Sequence, residues 1–180
     1  MLIKLQLLSD IQEIRSIQTH PKIFKYISDD LTPEDFIPDT KRCVYLGLYL
    51  DETLYGCLMV EPVNSITASL HFCILPQLYG HLSEIREMVV NWLNTTKLLK
   101  VIAFSPVWNK LIIKTARQVG MKEEGRLTKS FLYKWKLHDQ IIFGATKAEW
   151  NSNELSRSES IELLQKRRRE EDEVCQQAQQ

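Results

Sequence analysis

The segment Ser65-Ile66-Thr67-Ala68-Ser69-Leu70-His71-Phe72-Cys73 contains no carboxylate and one side chain able to change charge near neutral pH, His71. An unperturbed imidazole titrates at about 6.5, which suits it to accept or return a proton. In a strand, period-two alternation would set His71 on one face with Ser69 and Cys73. His71 then reads either as a general base or as a histidine hydrogen-bonded within a sheet. Glu61, at the end of the preceding apolar run, is the second acid–base candidate; its other reading is a solvated carboxylate at a sheet edge. Cys73 as a nucleophile would need an activating base in contact, and same-face neighbours two residues apart on a strand need not meet. The four cysteines, Cys43, Cys57, Cys73 and Cys175, are far apart and form no CxxC pair. They read as reduced thiols, and no metal site is expected.

The elements that must position these groups follow from periodicity. Leu2 to Leu8 reads as a first strand, after which Ser9 can cap a helix whose Ile11, Ile14 and Ile17 repeat at threes. Pro21, Pro33 and Pro38 punctuate a loop-rich, partly helical stretch up to Arg42. Val44 to Leu50 and Leu54 to Pro62, separated by Asp51-Glu52-Thr53, form a β-hairpin, and Ile66 to Leu75 adds a third strand after the turn Asn64-Ser65. Beyond Gly80, Leu82, Ile85, Met88, Val89, Trp92 and Leu93 fall on one helical face. Lys100 to Ser105 is a short strand that Pro106 stops, and Asn109 to Val119 is a helix ended by Gly120. Met121 to Trp135 and Leu137 to Thr146 close the sheet, with a turn near Lys136 to Asp139. The fold class is α/β, a mixed and mostly antiparallel sheet flanked by helices.

Composition divides the chain. All 6 glycines, 6 prolines and 16 aromatic residues lie in residues 1–150. The remainder, 151–180, opens with a polar stretch and continues through Ile161, Leu163 and Leu164 into Lys166-Arg167-Arg168-Arg169-Glu170-Glu171-Asp172-Glu173. Opposite charges four apart favour a helix there, with the base-first order the weaker one. That tail reads as a solvated helix or as a docking element, through 155–180, for a protein partner or another copy. With 23 basic and 23 acidic residues the chain shows no electrostatic footprint for nucleic acid. Its apolar runs fall far short of the about 20 residues that span a bilayer. The stretch Met1 to Leu8 lacks a leader-like cleavage site, so the expected compartment is cytoplasm.

Three local features, in order over residues 66–146, resemble the GNAT superfamily of acyl-CoA-dependent N-acyltransferases, and the likeness extends over about residues 1–148. Leu75-Pro76 is followed by Gln77-Leu78-Tyr79-Gly80-His81-Leu82 at the start of an amphipathic helix, similar to the family's (Gln/Arg)-x-x-Gly-x-(Gly/Ala) loop. Leu82 departs from that pattern. Pro106-Val107-Trp108-Asn109 leads a helix ending Val119-Gly120-Met121-Lys122-Glu123-Glu124-Gly125, similar to the family's Asn-led helix and the strand after it. Leu137 to Gly144 resembles the last strand of the branch that acetylates amino groups of proteins.

The resemblance implies a V-shaped opening between the strands Ile66 to Leu75 and Lys100 to Ser105. Acetyl-CoA, as co-substrate, would lie there with its pantetheine arm against the main chain of Cys73, Ile74 and Leu75. Its diphosphate would meet the unpaired backbone N–H groups of Gln77, Leu78, Gly80, His81 and Leu82 at a helix start. Asn109 would touch the pantetheine arm or cap its helix. The implied reaction is direct transfer of an acetyl group to a primary amine of a protein or small molecule, with His71 or Glu61 removing the proton. The position equivalent to the family's acid Tyr is Ala116, leaving Tyr79 and Tyr133 as the phenols of this stretch. The alternative is a GNAT-fold binding or assembly module without catalysis. Compact versions with a His-Phe strand also look like those carried by bacteriophages.

Overall fold

The computed structural model describes residues 2–27 and 31–152. The charged segment expected to form a helical appendage, with Cys175, lies outside the described residues. The elements run β1 (Ile3–Leu7), α1 (Ile11–Gln18), α2 (Pro21–Ile27), β2 (Val44–Leu50), β3 (Thr53–Pro62), β4 (Thr67–Ile74), a 3-10 helix (Pro76–His81), α3 (Leu82–Asn94), β5 (Lys100–Pro106), α4 (Lys110–Gln118), β6 (Lys122–Tyr133), β7 (Lys136–Thr146) and α5 (Lys147–Asn151). The strands form one 7-stranded sheet in the order β1-β2-β3-β4-β5-β7-β6. Every neighbouring pair is antiparallel except β4 and β5. The mixed α/β sheet expected from the periodicity is the one found.

Alternation along the strands sorts the core onto two faces. Leu70 and Ile74 of β4 join Leu48, Leu58, Val101 and Phe143 under Ile85, Val89 and Leu93 of α3. On the opposite face Cys73 packs with Tyr45, Cys57 and Leu75 beneath Ile14 and Ile17 of α1 and Ile23 of α2. Each helix therefore buries its apolar stripe against one face of the sheet.

Two local readings need correction. The cap of α1 is Asp10, whose Oδ1 accepts from the N–H of Gln12 at 2.7 Å and of Glu13 at 3.1 Å. Ser9 sits one residue too early to reach those N–H groups. The closing hairpin turns at Lys134 and Trp135, with φ of 51° and 58°, not at Lys136 to Asp139. Such a two-residue left-handed turn normally signals itself by Asn or Gly, and here it has neither. The helix expected after Gly80 begins at Leu82, and the loop before it is wound into a 3-10 turn that Pro76 opens.

Gly120, at φ 82°, takes the left-handed position that ends α4. At the far end, Thr146 and Glu149 form a capping box on α5, which places Trp150 in the core at 3% exposure. Among the described residues no helix is long and apolar enough to cross a membrane.

Candidate active site

The parallel pairing of β4 with β5 is short. It runs from Thr67 opposite Lys100 to Ser69 opposite Ile102 and then stops. On its other side β5 stays paired with β7 as far as Pro106 opposite Gln140, and β4 stays paired with β3 to Ile74 opposite Gly56. The two central strands therefore diverge, because each follows a different neighbour. A cavity of about 160 Å³ occupies the opening.

The ladder direction decides which main-chain groups face it. Val63 N–H donates to the Thr67 carbonyl and Leu75 N–H to the Tyr55 carbonyl, both at 2.9 Å. Odd-numbered residues of β4 thus direct their peptide groups at β3. Even-numbered ones direct theirs toward β5, as the Ile66 carbonyl shows by accepting from Leu99 and Lys100. Beyond Ser69 there is no strand to receive them, so Phe72 and Ile74 open their N–H and C=O groups onto the cavity. Cys73 and Leu75, grouped with Ile74 in the sequence reading, lie in the β3 register instead.

The wall on the α3–α4 face includes Ile74, Asn109, Thr115 and Ala116, and Tyr79 joins the wall near Tyr26 of α2. Asn109 combines both roles considered for it. Its Oδ1 accepts from the Ile112 N–H at 3.2 Å, capping α4, while its buried Nδ2 has no partner. A buried amide donor without an acceptor is costly to retain unless something supplies one. Tyr79 is 36% exposed, and burial, reinforced by nearby Tyr26, raises its phenol above the usual range. Ala116 stands in the wall without any acidic hydrogen to offer.

Leu82 does not block the opening. It packs against the core beneath α3 and takes no part in the cavity wall. Leu78 is fully buried, whereas a Cβ on Gly80 would meet nothing within 4 Å. Gln77 is exposed. No side chain caps the start of α3, and the 3-10 turn Pro76–His81 runs directly into it. A carboxylate already stands there: Glu84 Oε2 lies 2.6 Å from His81 Nδ1.

On the α1–α2 face the wall carries His71, with Lys22, Ile23, Tyr26 and Ile27 of α2 and Phe131 of β6. His71 Nε2 lies 3.2 Å from Ser69 Oγ and 3.7 Å from Glu61 Oε2. Arg42 holds the other Glu61 oxygen at 3.1 Å. Burial lowers the His71 pKa below its ordinary value and Glu61 partly opposes that effect. The imidazole is therefore neutral at pH 7 and able to accept a proton. The two acid–base candidates are thus neighbours, and Arg42, which the sequence did not single out, completes the row. Cross-strand register alone could have joined Glu61 to Ser69, its direct partner.

Cys73 turns away from the cavity toward Cys57 across the sheet. The hydrogen bond to Cys73, together with burial, holds the Cys57 thiol well above its usual range. These are packing cysteines. Tyr133 stacks on Trp108, ring centres 4.6 Å apart, and Tyr26 lies 5.9 Å from Trp108. This row ties α2, the loop before α4 and the closing hairpin together at the edge of the opening. Among the described residues no cluster of metal ligands occurs.

Among the described residues, a seven-stranded mixed sheet whose one parallel pair splits apart, with an Asn-capped helix on one side of the split, sets the architecture. This is the GNAT acetyltransferase fold. The GNAT fold of this chain is similar to spermidine N-acetyltransferase from Vibrio cholerae in complex with CoA and spermine, at a TM-score of 0.68 and 16% identity. That match covers 83% of this chain and 98% of the other. A provisionally named phosphinothricin N-acetyltransferase matches at a TM-score of 0.65 and 17% identity, over 81% of this chain and 99% of its own. No family model and no curated protein matches the sequence.

Proposed function

We propose that this chain is an acyl-CoA-dependent N-acyltransferase that moves an acetyl group directly to a primary amine. The observation that carries this reading is the split between β4 and β5, lined by the open peptide groups of Phe72 and Ile74 and by the unpartnered Nδ2 of Asn109. An extended amide-bearing arm fits such a row, since it supplies donors and acceptors to groups that otherwise have none. The positive end of α3 and the turn before it would take the diphosphate, with Gln77, Gly80 and His81 beside it. Acetyl-CoA brings the activated thioester.

The chain's residues then have separate tasks. His71, neutral and facing the opening, takes the proton from the acceptor's ammonium, because an ammonium has no lone pair with which to attack. Glu61 and Ser69 orient the ring and favour its protonated form once the proton is taken. Tyr79, a phenol of the wall that keeps its proton at neutral pH, would protonate the departing thiolate, a role that Ala116 cannot fill. Tyr133 is engaged with Trp108.

Thermal denaturation tests the reading. Acetyl-CoA at about 100 times its dissociation constant should stabilise the protein by about 2.7 kcal/mol, a rise of several degrees in melting temperature. No rise at millimolar acetyl-CoA would end the transferase proposal.

A further inference from the structure

We infer that the amine acceptor is a primary amine on an aromatic or branched-aliphatic body with no second cationic group. This rests on the transferase reading above and assigns the chemistry of its second substrate.

The cavity passes through the sheet, because the divergence of β4 and β5 opens both faces at once. The groups suited to acetyl-CoA lie toward α3 and α4. The proton acceptor His71 lies on the α1–α2 face with Ser69 and Cys73, so the amine must approach from that side. There the wall includes Ile23, Tyr26 and Ile27 of α2 with Phe131 of β6, and Gln140, whose Oε1 already accepts from Ser130 Oγ at 3.0 Å. The one ionised side chain in the wall, among the described residues, is Lys22, which is solvent-exposed and sits at the rim.

A polyamine would bring a second ammonium into this space. Removing that charge from water requires a carboxylate or several acceptors in return. Among the described residues the cavity wall offers no carboxylate. Glu61, beside His71, has one oxygen on Arg42 and the other directed at His71. Lys22 adds like-charge repulsion instead. An aromatic or branched hydrocarbon body loses nothing by leaving water and buries apolar surface against Ile23, Tyr26 and Phe131. The arrangement therefore selects against the acceptor type named for the Vibrio cholerae neighbour, even though the two share a fold.

The test uses the full chain with acetyl-CoA and two amines, phenethylamine and spermidine, following thiol release. Phenethylamine should exceed spermidine in kcat/KM by about tenfold or more, equivalent to about 1.4 kcal/mol. Lys22→Glu, at an exposed position, should shrink that ratio several-fold by replacing repulsion with attraction. A second readout does not depend on turnover: with saturating CoA, phenethylamine should raise the melting temperature further and spermidine should not. Spermidine as the equal or better substrate, a Lys22→Glu ratio that does not move, or equal thermal responses to the two amines would each overturn the acceptor assignment while leaving the transferase intact. Absence of any response to acetyl-CoA would instead remove the transferase reading beneath it.

Discussion

Glu61 divides its carboxylate between two partners, Oε1 lying 3.1 Å from the Arg42 guanidinium and Oε2 3.7 Å from His71 Nε2. The pH dependence of activity should register this division. Burial lowers the His71 pKa from its ordinary 6.5 and Glu61 counteracts it, so kcat/KM should rise with pH along a limb centred below about 6.5. Glu61→Gln removes the opposing charge and should move that limb to lower pH. Arg42→Ala frees Glu61 and should move it to higher pH. Histidine C2–H titration by NMR reads the same shifts without turnover. His71→Ala should reduce kcat by about 10²-fold or more; an unchanged rate would assign the base elsewhere.

The same group has a stability consequence. With the folded pKa below the unfolded one, the unfolded chain binds the proton more readily, so stability is full above about 6.5 and falls as pH drops toward the lower value. A His71→Gln variant should show a flatter melting temperature between pH 7 and pH 5.

Asn109 separates capping from ligand binding. Asn109→Ala removes the cap and should cost about 1 kcal/mol of stability. Asn109→Ser keeps a side-chain acceptor for the Ile112 N–H but lacks the amide that faces the opening. It should melt near wild type yet bind CoA about fivefold more weakly, the worth of one hydrogen bond. Equal affinities by calorimetry would show that Nδ2 meets no ligand.

Glu84 stands where the diphosphate is expected. Its side chain is 61% exposed and pairs with His81. Glu84→Gln keeps a hydrogen-bonding group and removes the like charge, so CoA should bind about two- to fivefold more tightly, a gain that fades as salt is raised. Unchanged affinity at low salt would place the diphosphate away from the start of α3.

At the other end of the sheet, the Lys122 ammonium and then the Thr146 cap hold Glu149 down to a pKa of about 2. Its contribution to stability is present above about 4.5, the ordinary glutamate value, and is lost as pH falls toward 2. Because Glu149 is 41% exposed, solvent screens much of it. Thr146→Ala should cost about 1 kcal/mol by unfastening α5 and Trp150. Glu149→Gln should flatten the acid side of a plot of melting temperature against pH.

Much of the scaffold was legible because its signals are local. The apolar runs of β2, β3 and β4, the stripe of α3 from Leu82 to Leu93 and the left-handed stop at Gly120 each rest on periodicity or on a residue's own backbone preferences. The errors were local as well. Asp10 and Ser9 are both good caps, and only the path of the chain out of β1 selects between them. The turn at Lys134 and Trp135 carries no Gly or Asn, so nothing in the residues announced it.

His71, Glu61, the loop from Gln77 to Leu82 and Asn109 could be named from the amino-acid sequence, since chemical type and order along the chain are all that naming them requires. Which of them meet, and across what space, depended on long-range pairing. The end of the β4–β5 ladder at Ser69 turns the peptide groups of Phe72 and Ile74 into an open row, and it does so because β4 must follow β3 while β5 must follow β7. Arg42 reaches Glu61 from a loop 19 residues earlier in the chain, and α2 brings Lys22, Ile23 and Tyr26 to the far side of the opening. Hydrophobic periodicity reports which face of an element is buried; the neighbours it is buried against are chosen by the packing of the whole sheet.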